Sequence, residues 1–274
     1  MNNRDKFINS PVLQVQEKIL KQLFNADDKL VLFDIGACEG ESSIRYAKLF
    51  PDSIVYTFEP LTTNFELVKK NIEAFRRHNV RPFQLCLSDK EGELTFYVSE
   101  GAPEGANTED WDYGNKSSSL LPPEKTVELI NWLQFKNEIK VKATTLKAFC
   151  SSVQLKHIDF IHMDVQGAEL LVLEGAGDFI KNINAMWLEV AKVELYKGQA
   201  LKHDVEQFME QHGFVKIADT VYTYDGDQFW VNKNFIKDRN LWWVIQAIRL
   251  QSFFRKIYKT FRRRFLNKYL IKNI

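Results

Sequence analysis

The chain has 274 residues, of which 45% are hydrophobic and 27% are charged, a composition close to that of ordinary soluble globular proteins. No apolar run approaches the roughly 18 residues that a membrane-spanning helix needs, and no apolar core of a secretion signal follows the polar residues 1–10. We therefore expect a cytoplasmic protein that is soluble or peripheral to a membrane. The formal net charge of +1 conceals an asymmetry, because residues 240–274 carry nine Lys or Arg and no Asp or Glu.

Alternating strands and helices are predicted along most of the chain. Residues 12–24 repeat apolar positions at intervals of three and four, as an amphipathic helix does, and residues 30–34 form an apolar run typical of a buried strand. The same patterns predict strands at 53–58, 81–87, 94–99, 158–163 and 185–190, and helices at 42–49, 63–77, 168–173 and 204–212. We expect the helix at 63–77 to begin with a hydroxyl cap. Such alternation is typical of a doubly wound α/β fold, in which helices cover a mostly parallel sheet.

Two segments depart from this alternation. Near its end the chain carries three short apolar runs, at 215–218, 221–224 and 228–232. With a turn at Asp225-Gly226-Asp227, they predict an antiparallel hairpin region that closes the sheet. Residues 101–123 are rich in Gly, Pro, Asn and Ser and carry Trp111 and Tyr113. Long loops in compact domains are often lids or binding loops, so we expect that role here.

A glycine-bearing loop follows the first predicted strand, from Asp34 to Gly40. In an open α/β sheet, ligands bind beyond the carboxyl ends of the strands, and this loop lies in that position. Gly36 and Gly40 permit a tight turn and a close approach of a ligand to the backbone, and Ser42 or Ser43 could cap the next helix. The Gly-x-x-x-Gly spacing departs from the Gly-x-Gly-x-x-Gly of dinucleotide-binding proteins, which argues against an NAD-dependent enzyme.

An acidic residue follows the second predicted strand. Glu59 stands 25 residues after Asp34, where a carboxylate can accept hydrogen bonds from both hydroxyls of a ribose. Each feature alone has a plain alternative, since such a glycine pair is often only a turn and a strand-end Glu is often only solvated. Their order and spacing together indicate a ligand that contains ribose.

Five motifs follow one another along the chain, each occurring once. They are Phe33-Asp-Ile-Gly-Ala-Cys-Glu-Gly-Glu-Ser-Ser, Phe58-Glu-Pro, Leu87-Ser-Asp-Lys-Glu-Gly-Glu-Leu, Thr145-Leu, and Met163-Asp-Val-Gln-Gly-Ala-Glu-Leu-Leu-Val-Leu-Glu-Gly-Ala. Over about residues 30–235 this order resembles the FkbM-type methyltransferase family. The resemblance implies a Rossmann-like seven-stranded sheet with an antiparallel last strand. It also implies S-adenosylmethionine as the methyl donor and O-methylation of a hydroxyl on a sugar, glycan or related metabolite.

The resemblance also implies which residues hold the cofactor. Asp34 and Gly36 would line its methionine end, Glu59 its ribose, and Ser88 with Asp89 the surroundings of its adenine. The other residues predicted to bind the cofactor are Ala37, Cys38, Gly40, Ser43 and Pro60. Three positions depart from the family pattern, with Cys38 in place of Asn, His162 in place of Lys, and Gln166 in place of Glu. The change at His162 bears most on activity, because it lies two residues before the expected reaction centre.

The reaction needs a positioned acceptor and a group that removes its proton. Asp164 follows the predicted strand at 158–163 and is the expected base, although the same carboxylate could instead cap the next helix. Histidine is a common base near neutral pH, and alternation puts His162 on the face of Asp164, but an interior histidine is the plainer interpretation. Glu169 is expected to join the site or to anchor it. Glu189 could address an acceptor hydroxyl or a cation, and we assign no metal.

The basic tail has the pattern of an amphipathic helix. Apolar residues recur at helical spacing at Leu250, Phe254, Ile257, Tyr258, Phe261 and Phe265. Basic residues fall on the other side, at Arg255, Lys256, Lys259, Arg262 and Arg263. The pattern predicts a helix that lies on an anionic membrane surface, or one that packs on the domain or on a second subunit in a homo-oligomer. Nucleic acid is a disfavoured partner, because residues 1–239 carry 28 basic and 36 acidic groups.

We expect three segments along the chain. They are an N-terminal helical extension at 1–29, an S-adenosylmethionine-dependent methyltransferase domain at 30–239, and the basic tail at 240–274. The expected function is O-methylation of a sugar, glycan or related metabolite. Two alternatives stay open at this point: an NAD-type oxidoreductase, and a non-catalytic nucleotide-binding or membrane-docked module on the same fold.

Overall fold

The computed structural model of the protein describes residues 3–106 and 113–270, and it describes side chains as far as residue 258. The helices are α1 (Asn3–Asn9), α2 (Val15–Leu23), α3 (Glu41–Leu49), α4 (Thr62–Ala74), α5 (Lys125–Leu129), α6 (Leu146–Ser152), α7 (Glu169–Glu174), α8 (Lys202–Gln211), α9 (Lys233–Asp238) and α10 (Trp242–Leu270). The strands are β1 (Val31–Ile35), β2 (Ile54–Phe58), β3 (Val80–Phe83), β4 (Cys86–Ser88), β5 (Gly92–Glu100), β6 (Gln134–Thr145), β7 (Ile158–Met163), β8 (Ile183–Ala191), β9 (Phe214–Asp219) and β10 (Asp225–Asn232).

The main sheet has seven strands in the order β3-β2-β1-β7-β8-β10-β9. The pairs from β3 through to β8 are parallel, whereas β10 runs antiparallel to both β8 and β9. The predicted seven-stranded sheet with an antiparallel last strand is therefore confirmed. Because β1, β2 and β7 are parallel neighbours, the loops that follow them meet at one edge of the sheet, where ligands bind in such folds.

Hydrophobic side chains cover both faces of this sheet. On one face Phe33 and Ile161 pack with residues of α6, α7 and α8, and on the other Leu32 and Phe160 pack with residues of α2, α3 and α10. Successive side chains of a strand point to opposite faces, so the continuous apolar runs in the sequence are runs buried on both sides. The doubly wound arrangement is therefore confirmed.

A second, three-stranded sheet has the order β4-β6-β5 and was not predicted. The strand predicted at 81–87 is wrong as a single element, because it divides into β3 of the main sheet and β4 of the small one. The strand predicted at 94–99 exists as β5, but it pairs antiparallel with β6 rather than continuing the parallel alternation. The strand β6 is exposed over much of its length, which explains why no buried pattern revealed it.

Local details correct three further expectations. Residues 221–224 form no strand, and residues 225–227 are part of β10 rather than a turn. The helix α4 begins after Leu61 without a side-chain cap, so the prediction of a hydroxyl cap is wrong. The helix α3 begins after Gly40, a residue in the left-handed conformation, and neither serine of its first turn caps it.

The helix α2 and the first part of α10 pack on the same face of the sheet. Arg45 of α3 donates two hydrogen bonds of 2.6 Å to the carboxylate of Glu17, and both side chains are buried. Ile245 and Ile248 of α10 belong to the same hydrophobic core as α2. The three predicted segments thus contact one another, and their boundaries stay a prediction. Among the helices in the described residues, none has both the length and the apolar character required to cross a bilayer.

Candidate functional site

A pocket lies at the carboxyl ends of β1, β2 and β7. Five of the residues predicted from the sequence line it, namely Gly36, Cys38, Glu59, Pro60 and Asp164. The predicted Asp34, Ala37, Gly40, Ser43, Ser88, Asp89, His162 and Glu169 do not line it and instead support the surrounding loops. The pocket therefore brings together the glycine loop, the acid after β2 and the acid after β7, three features that are far apart in the sequence.

Gly36 allows the first loop to approach the loop after β7. Its backbone has a φ of 81°, and a Cβ atom added there would lie 1.9 Å from the carbonyl oxygen of Asp164. The backbone N–H groups of Gly36 and Ala37 both donate to the carbonyl of Phe58, which ties this loop to the end of β2. Only a residue without a side chain fits this approach, so glycine is required by tertiary contact as well as by its dihedral angle.

Glu59 is buried at the base of the pocket, with 4% of its surface exposed. Its carboxylate accepts hydrogen bonds of 2.9 Å from the backbone N–H groups of Cys38 and Leu61. Burial raises the pKa of Glu59 to about 8, and the two backbone hydrogen bonds only partly oppose this shift. A buried carboxyl group held by backbone donors keeps one orientation, which suits recognition of a ligand that offers hydroxyl groups.

Asp34 lies behind the glycine loop rather than in the pocket. It accepts a 2.5 Å hydrogen bond from the Ser43 hydroxyl, which also lies 2.8 Å from the hydroxyl of Thr57. Nδ1 of His162 lies 3.5 Å from Asp34 and 3.2 Å from the Tyr46 hydroxyl. Burial raises the pKa of Asp34, whereas His162 and the Ser43 hydrogen bond lower it. This buried polar group joins β1, α3 and β7, and so holds the loop that begins at Ile35.

Ser88 and Asp89 hydrogen-bond to each other at 2.9 Å, next to the apolar wall of the pocket. The wall itself was missed by sequence reasoning. Its residues are Leu85, Cys86, Leu87, Phe96 and Leu120. They come from β4, β5 and the segments around them, so they reach the pocket only because the small sheet packs there. A flat apolar surface of this kind suits the face of a nucleobase.

The segment after residue 112 covers the pocket. Asn115 and Lys116, which belong to a short 3₁₀ helix at Gly114–Lys116, line it directly. Lys116 forms a 2.8 Å ion pair with Glu41 at the start of α3, and Asn115 donates to Asn64 at 3.1 Å. Part of the 101–123 loop therefore lines the pocket, its role as a lid stays a prediction, and Trp111 lies outside the described residues. The Asn, Gly and Ser content of the loop was the only signal for these residues in the sequence.

Acidic groups gather at the mouth of the pocket. Asp164 is exposed, whereas Glu169 is buried and accepts hydrogen bonds from the backbone N–H groups of Val165 and Gly167. Glu169 thus anchors the loop that carries Asp164, and neither acid caps α7, which begins after Ala168. Burial raises the pKa of Glu169 to about 7, with a further contribution from the charge of Asp164.

Gln166 connects these acids. Its side-chain Nε2 donates to Asp164 at 2.6 Å and to Glu189 of β8 at 2.9 Å. Burial, followed by the charges of Asp164 and Glu169, raises the pKa of Glu189 well above its usual range. One carboxylate oxygen from each of the three acids lies within 4.8 Å of the others, so the group could hold a divalent cation. Acidic clusters are common without an ion, and we assign none.

Comparisons with known proteins identify the family of this chain. A crystal structure of methyltransferase FkbM from Methylobacillus flagellatus is 12% identical, with 76% of this chain and 45% of that chain covered, and its TM-score of 0.45 is too low to carry a conclusion. Methyltransferase 1 from Beauveria bassiana is 26% identical over 155 residues, which are 56% of this chain and 60% of that protein. The 2-O-methyltransferase NoeI from Sinorhizobium fredii is 30% identical over 187 residues, which are 68% of this chain and 73% of that protein. The model of the methyltransferase FkbM domain matches residues 34–216, two thirds of the chain, and the protein therefore belongs to the FkbM-type methyltransferase family.

Proposed function

We propose that this methyltransferase uses S-adenosylmethionine to methylate a hydroxyl oxygen of a sugar, glycan or related metabolite. One observation carries the proposal. The buried Glu59 carboxyl group, the Gly36 turn and the exposed Asp164 all face one pocket at the carboxyl edge of the sheet. The candidate ribose-binding acid and the candidate proton acceptor thus line the same cavity.

The residues present fit the cofactor. S-adenosylmethionine, when bound, supplies a sulfonium methyl group for transfer to an oxygen. Glu59 would accept hydrogen bonds from the ribose hydroxyls, and the turn at Gly36 would let backbone groups approach the methionine end. Leu85, Leu87 and Phe96 would pack against the adenine. The predicted Asp34, Ala37, Gly40, Ser43, Ser88 and Asp89 would act by holding these walls in place.

Asp164 is the proposed base at the acceptor. It is exposed at the end of β7, so an acceptor can reach it without a rearrangement of the core. Gln166 orients its carboxylate, and Glu169 fixes the loop from below. His162 would support this group indirectly, because its ring contacts Asp34 and Tyr46. The acceptor proton would pass to Asp164 as the oxygen bonds to the methyl carbon and the carbon–sulfur bond breaks.

Two observations support a hydroxyl-rich acceptor. The relative from Sinorhizobium fredii is described as a 2-O-methyltransferase, which favours oxygen as the methylated atom. Carboxyl groups also gather beside the pocket: Asp164 lines it after β7, and Glu189 of β8 pairs in register with Asp227 of β10. An ionised carboxylate accepts hydrogen bonds, and a carboxyl group kept protonated by its raised pKa, as Glu189 is, also donates one, so the group matches hydroxyls that both donate and accept.

Calorimetric titration with S-adenosylmethionine and S-adenosylhomocysteine tests the cofactor. At pH 8.5, where Glu59 is largely ionised, we expect the wild type to bind both and Glu59→Gln to bind about tenfold or more weakly, since hydrogen bonds to a charged group contribute about 1.5–3 kcal/mol. Glu91→Gln, at an exposed position, is the matched control and should bind as the wild type does. Absence of binding to folded wild-type protein would reject the proposal.

A screen of sugar and glycan acceptors then tests the acceptor, with formation of S-adenosylhomocysteine as the readout. Product formation with a hydroxyl-bearing acceptor supports the proposal. If the protein binds the cofactor and methylates none of these acceptors, the sugar assignment fails while the cofactor assignment stands. Nicotinamide turnover measured by absorbance would instead favour the oxidoreductase, and binding of neither cofactor would favour a non-catalytic module.

A further inference from the structure

The helix α10 has two unlike faces. Ile245 and Ile248 are buried against β9 and α2, with 1% and 2% of their surfaces exposed. Trp243, Leu250 and Phe254 are 85%, 57% and 59% exposed. At 3.6 residues per turn, these three lie about 140–180° around the helix axis from Ile245. The exposed apolar stripe therefore points away from the body of the protein.

The stripe has two parts, one in the first turn of the helix and one from Leu250 to Tyr258, with the exposed Gln246 and Ala247 between them. Its exposed members in the described side chains are Trp242, Trp243, Leu250, Phe253, Phe254, Ile257 and Tyr258. Large apolar side chains gathered on one exposed face mark a contact surface, whereas single exposed ones carry no such meaning. The aromatic members suit a membrane interface, where an amphipathic ring can sit between headgroups and acyl chains.

The charge of the tail favours an anionic partner over a second copy of this chain. Residues 240–274 carry nine Lys or Arg and no Asp or Glu. Among the described cations, Lys256 lies 3.6 Å from Asp219 and Arg249 donates to the carbonyl of Lys216. The tail itself offers no acidic side chain to a second copy that would meet it through this helix. An anionic bilayer surface instead offers both an apolar layer for the stripe and negative charge for the cations.

We propose that the exposed face of α10 is a docking surface for an anionic lipid bilayer. The helix lies in the plane of the interface with its stripe turned to the acyl chains, and the domain sits on its opposite side through Ile245 and Ile248. This inference is independent of the proposed acceptor, since it rests only on the exposure and charge of the tail.

Sedimentation of the full-length chain with vesicles tests the proposal. The probes are phosphatidylcholine vesicles with and without phosphatidylglycerol. The wild type should bind the anionic vesicles at least about tenfold more tightly than the neutral ones, because each basic residue near the surface adds to the attraction. Added salt should weaken this binding, since it screens charges at the surface.

The variant F253S/F254S removes two exposed rings while leaving Ile245 and Ile248 in place, so the fold should persist. It should lose most of the binding to anionic vesicles. The matched control V127S/L129S removes two exposed apolar side chains of α5, and it should bind as the wild type does. Unfolding curves that match for all three proteins exclude a folding defect.

Three outcomes would overturn the proposal. The first is absence of vesicle binding by the folded wild type. The second is equal binding by the wild type and the F253S/F254S variant. The third is a dimer in light scattering that the variant abolishes while vesicle binding is absent, which would assign the stripe to a second copy of this chain.

Discussion

Gln166 donates a 2.6 Å hydrogen bond from its side-chain Nε2 to Oδ1 of Asp164. The same nitrogen donates to Glu189 at 2.9 Å, and Oε1 of Gln166 lies 2.8 Å from the Tyr196 hydroxyl. A primary amide carries two hydrogens, so one glutamine can hold both acids at once. Oδ1 of Asp164 is thereby occupied, and Oδ2 is the atom that we expect to receive the acceptor proton.

Asp164→Asn should lower the turnover number by about 10²–10⁴, the usual contribution of a general base, because an amide cannot take the acceptor proton. The affinity for S-adenosylhomocysteine should change little, since asparagine retains the oxygen that Gln166 contacts. Steady-state kinetics and calorimetry measure the two effects separately.

Asp52→Asn, at an exposed position before β2, is the control for this change and should leave both quantities as they are in the wild type. If Asp164→Asn retains full turnover, Asp164 is not the base. If it weakens the cofactor and turnover equally, Asp164 acts in cofactor binding instead.

Cofactor affinity should depend on pH through Glu59. Burial raises the pKa of Glu59 to about 8, so this group is protonated in the free protein at neutral pH. If the ribose hydroxyls bind the ionised carboxylate, the dissociation constant should fall by up to about tenfold per unit as the pH rises towards 8. Calorimetric titrations between pH 6.5 and 8.5 test this, and the dependence should be absent in Glu59→Gln.

The raised pKa of Glu59 also makes the stability of the free protein depend on pH. Stability should fall as the pH rises, whereas cofactor affinity should increase. Between pH 4.5 and about 8 the folded state keeps a proton on Glu59 that the unfolded state releases. The contribution of Glu59 to the free energy of unfolding therefore falls as the pH rises through this range. If the cofactor affinity of the wild type and that of Glu59→Gln show the same dependence on pH, Glu59 is not the ribose ligand.

Gly36→Ala should disrupt the pocket by more than the strain of a left-handed alanine, because the new side chain also clashes with a neighbouring loop. The new Cβ would meet the Asp164 carbonyl at 1.9 Å, so the loop after β7 must move. Gly198→Ala is a matched control, because Gly198 has a φ of 78° against 81° for Gly36 but has open space around it. Both variants should lose about 1–2 kcal/mol of unfolding free energy from left-handed strain.

Gly36→Ala should lose about 1–3 kcal/mol more than Gly198→Ala, which is the usual cost of overpacking. It should also bind S-adenosylhomocysteine at least about tenfold more weakly, while Gly198→Ala binds normally. Denaturant unfolding and calorimetry measure these differences. Equal effects of the two substitutions would show that the contact between the two loops has no energetic importance.

Removal of divalent metal with EDTA should leave activity unchanged. Gln166 already occupies Asp164 Oδ1 and Glu189 Oε2, and backbone N–H groups occupy Glu169 Oε1. The raised pKa values of Glu169 and Glu189 also let protons, rather than a cation, reduce the repulsion within the cluster. Activity that EDTA abolishes and Mg²⁺ restores, in the wild type but not in Glu189→Gln, would place a cation at these acids.

The main sheet and the outline of the site were predictable from the sequence. Buried parallel strands such as β1 and β2 are mainly apolar runs, and glycine at position 36 marks a turn through its backbone freedom. Glu59 follows β2 directly, so its position at the edge of the sheet is a consequence of local order along the chain. These features depend on residues close together in sequence, and the amino acids alone therefore determined them.

The tertiary structure decided which distant residues meet. The small sheet supplies Phe96 to the pocket wall, and the loop after residue 112 supplies Lys116, although no local pattern showed that either segment would reach the pocket. Gln166 reaches Glu189 only because β7 and β8 are neighbours in the sheet. Likewise, the sequence alone predicted an amphipathic α10 but not which face it buries, because that choice depends on the shape of the surface against which the helix packs.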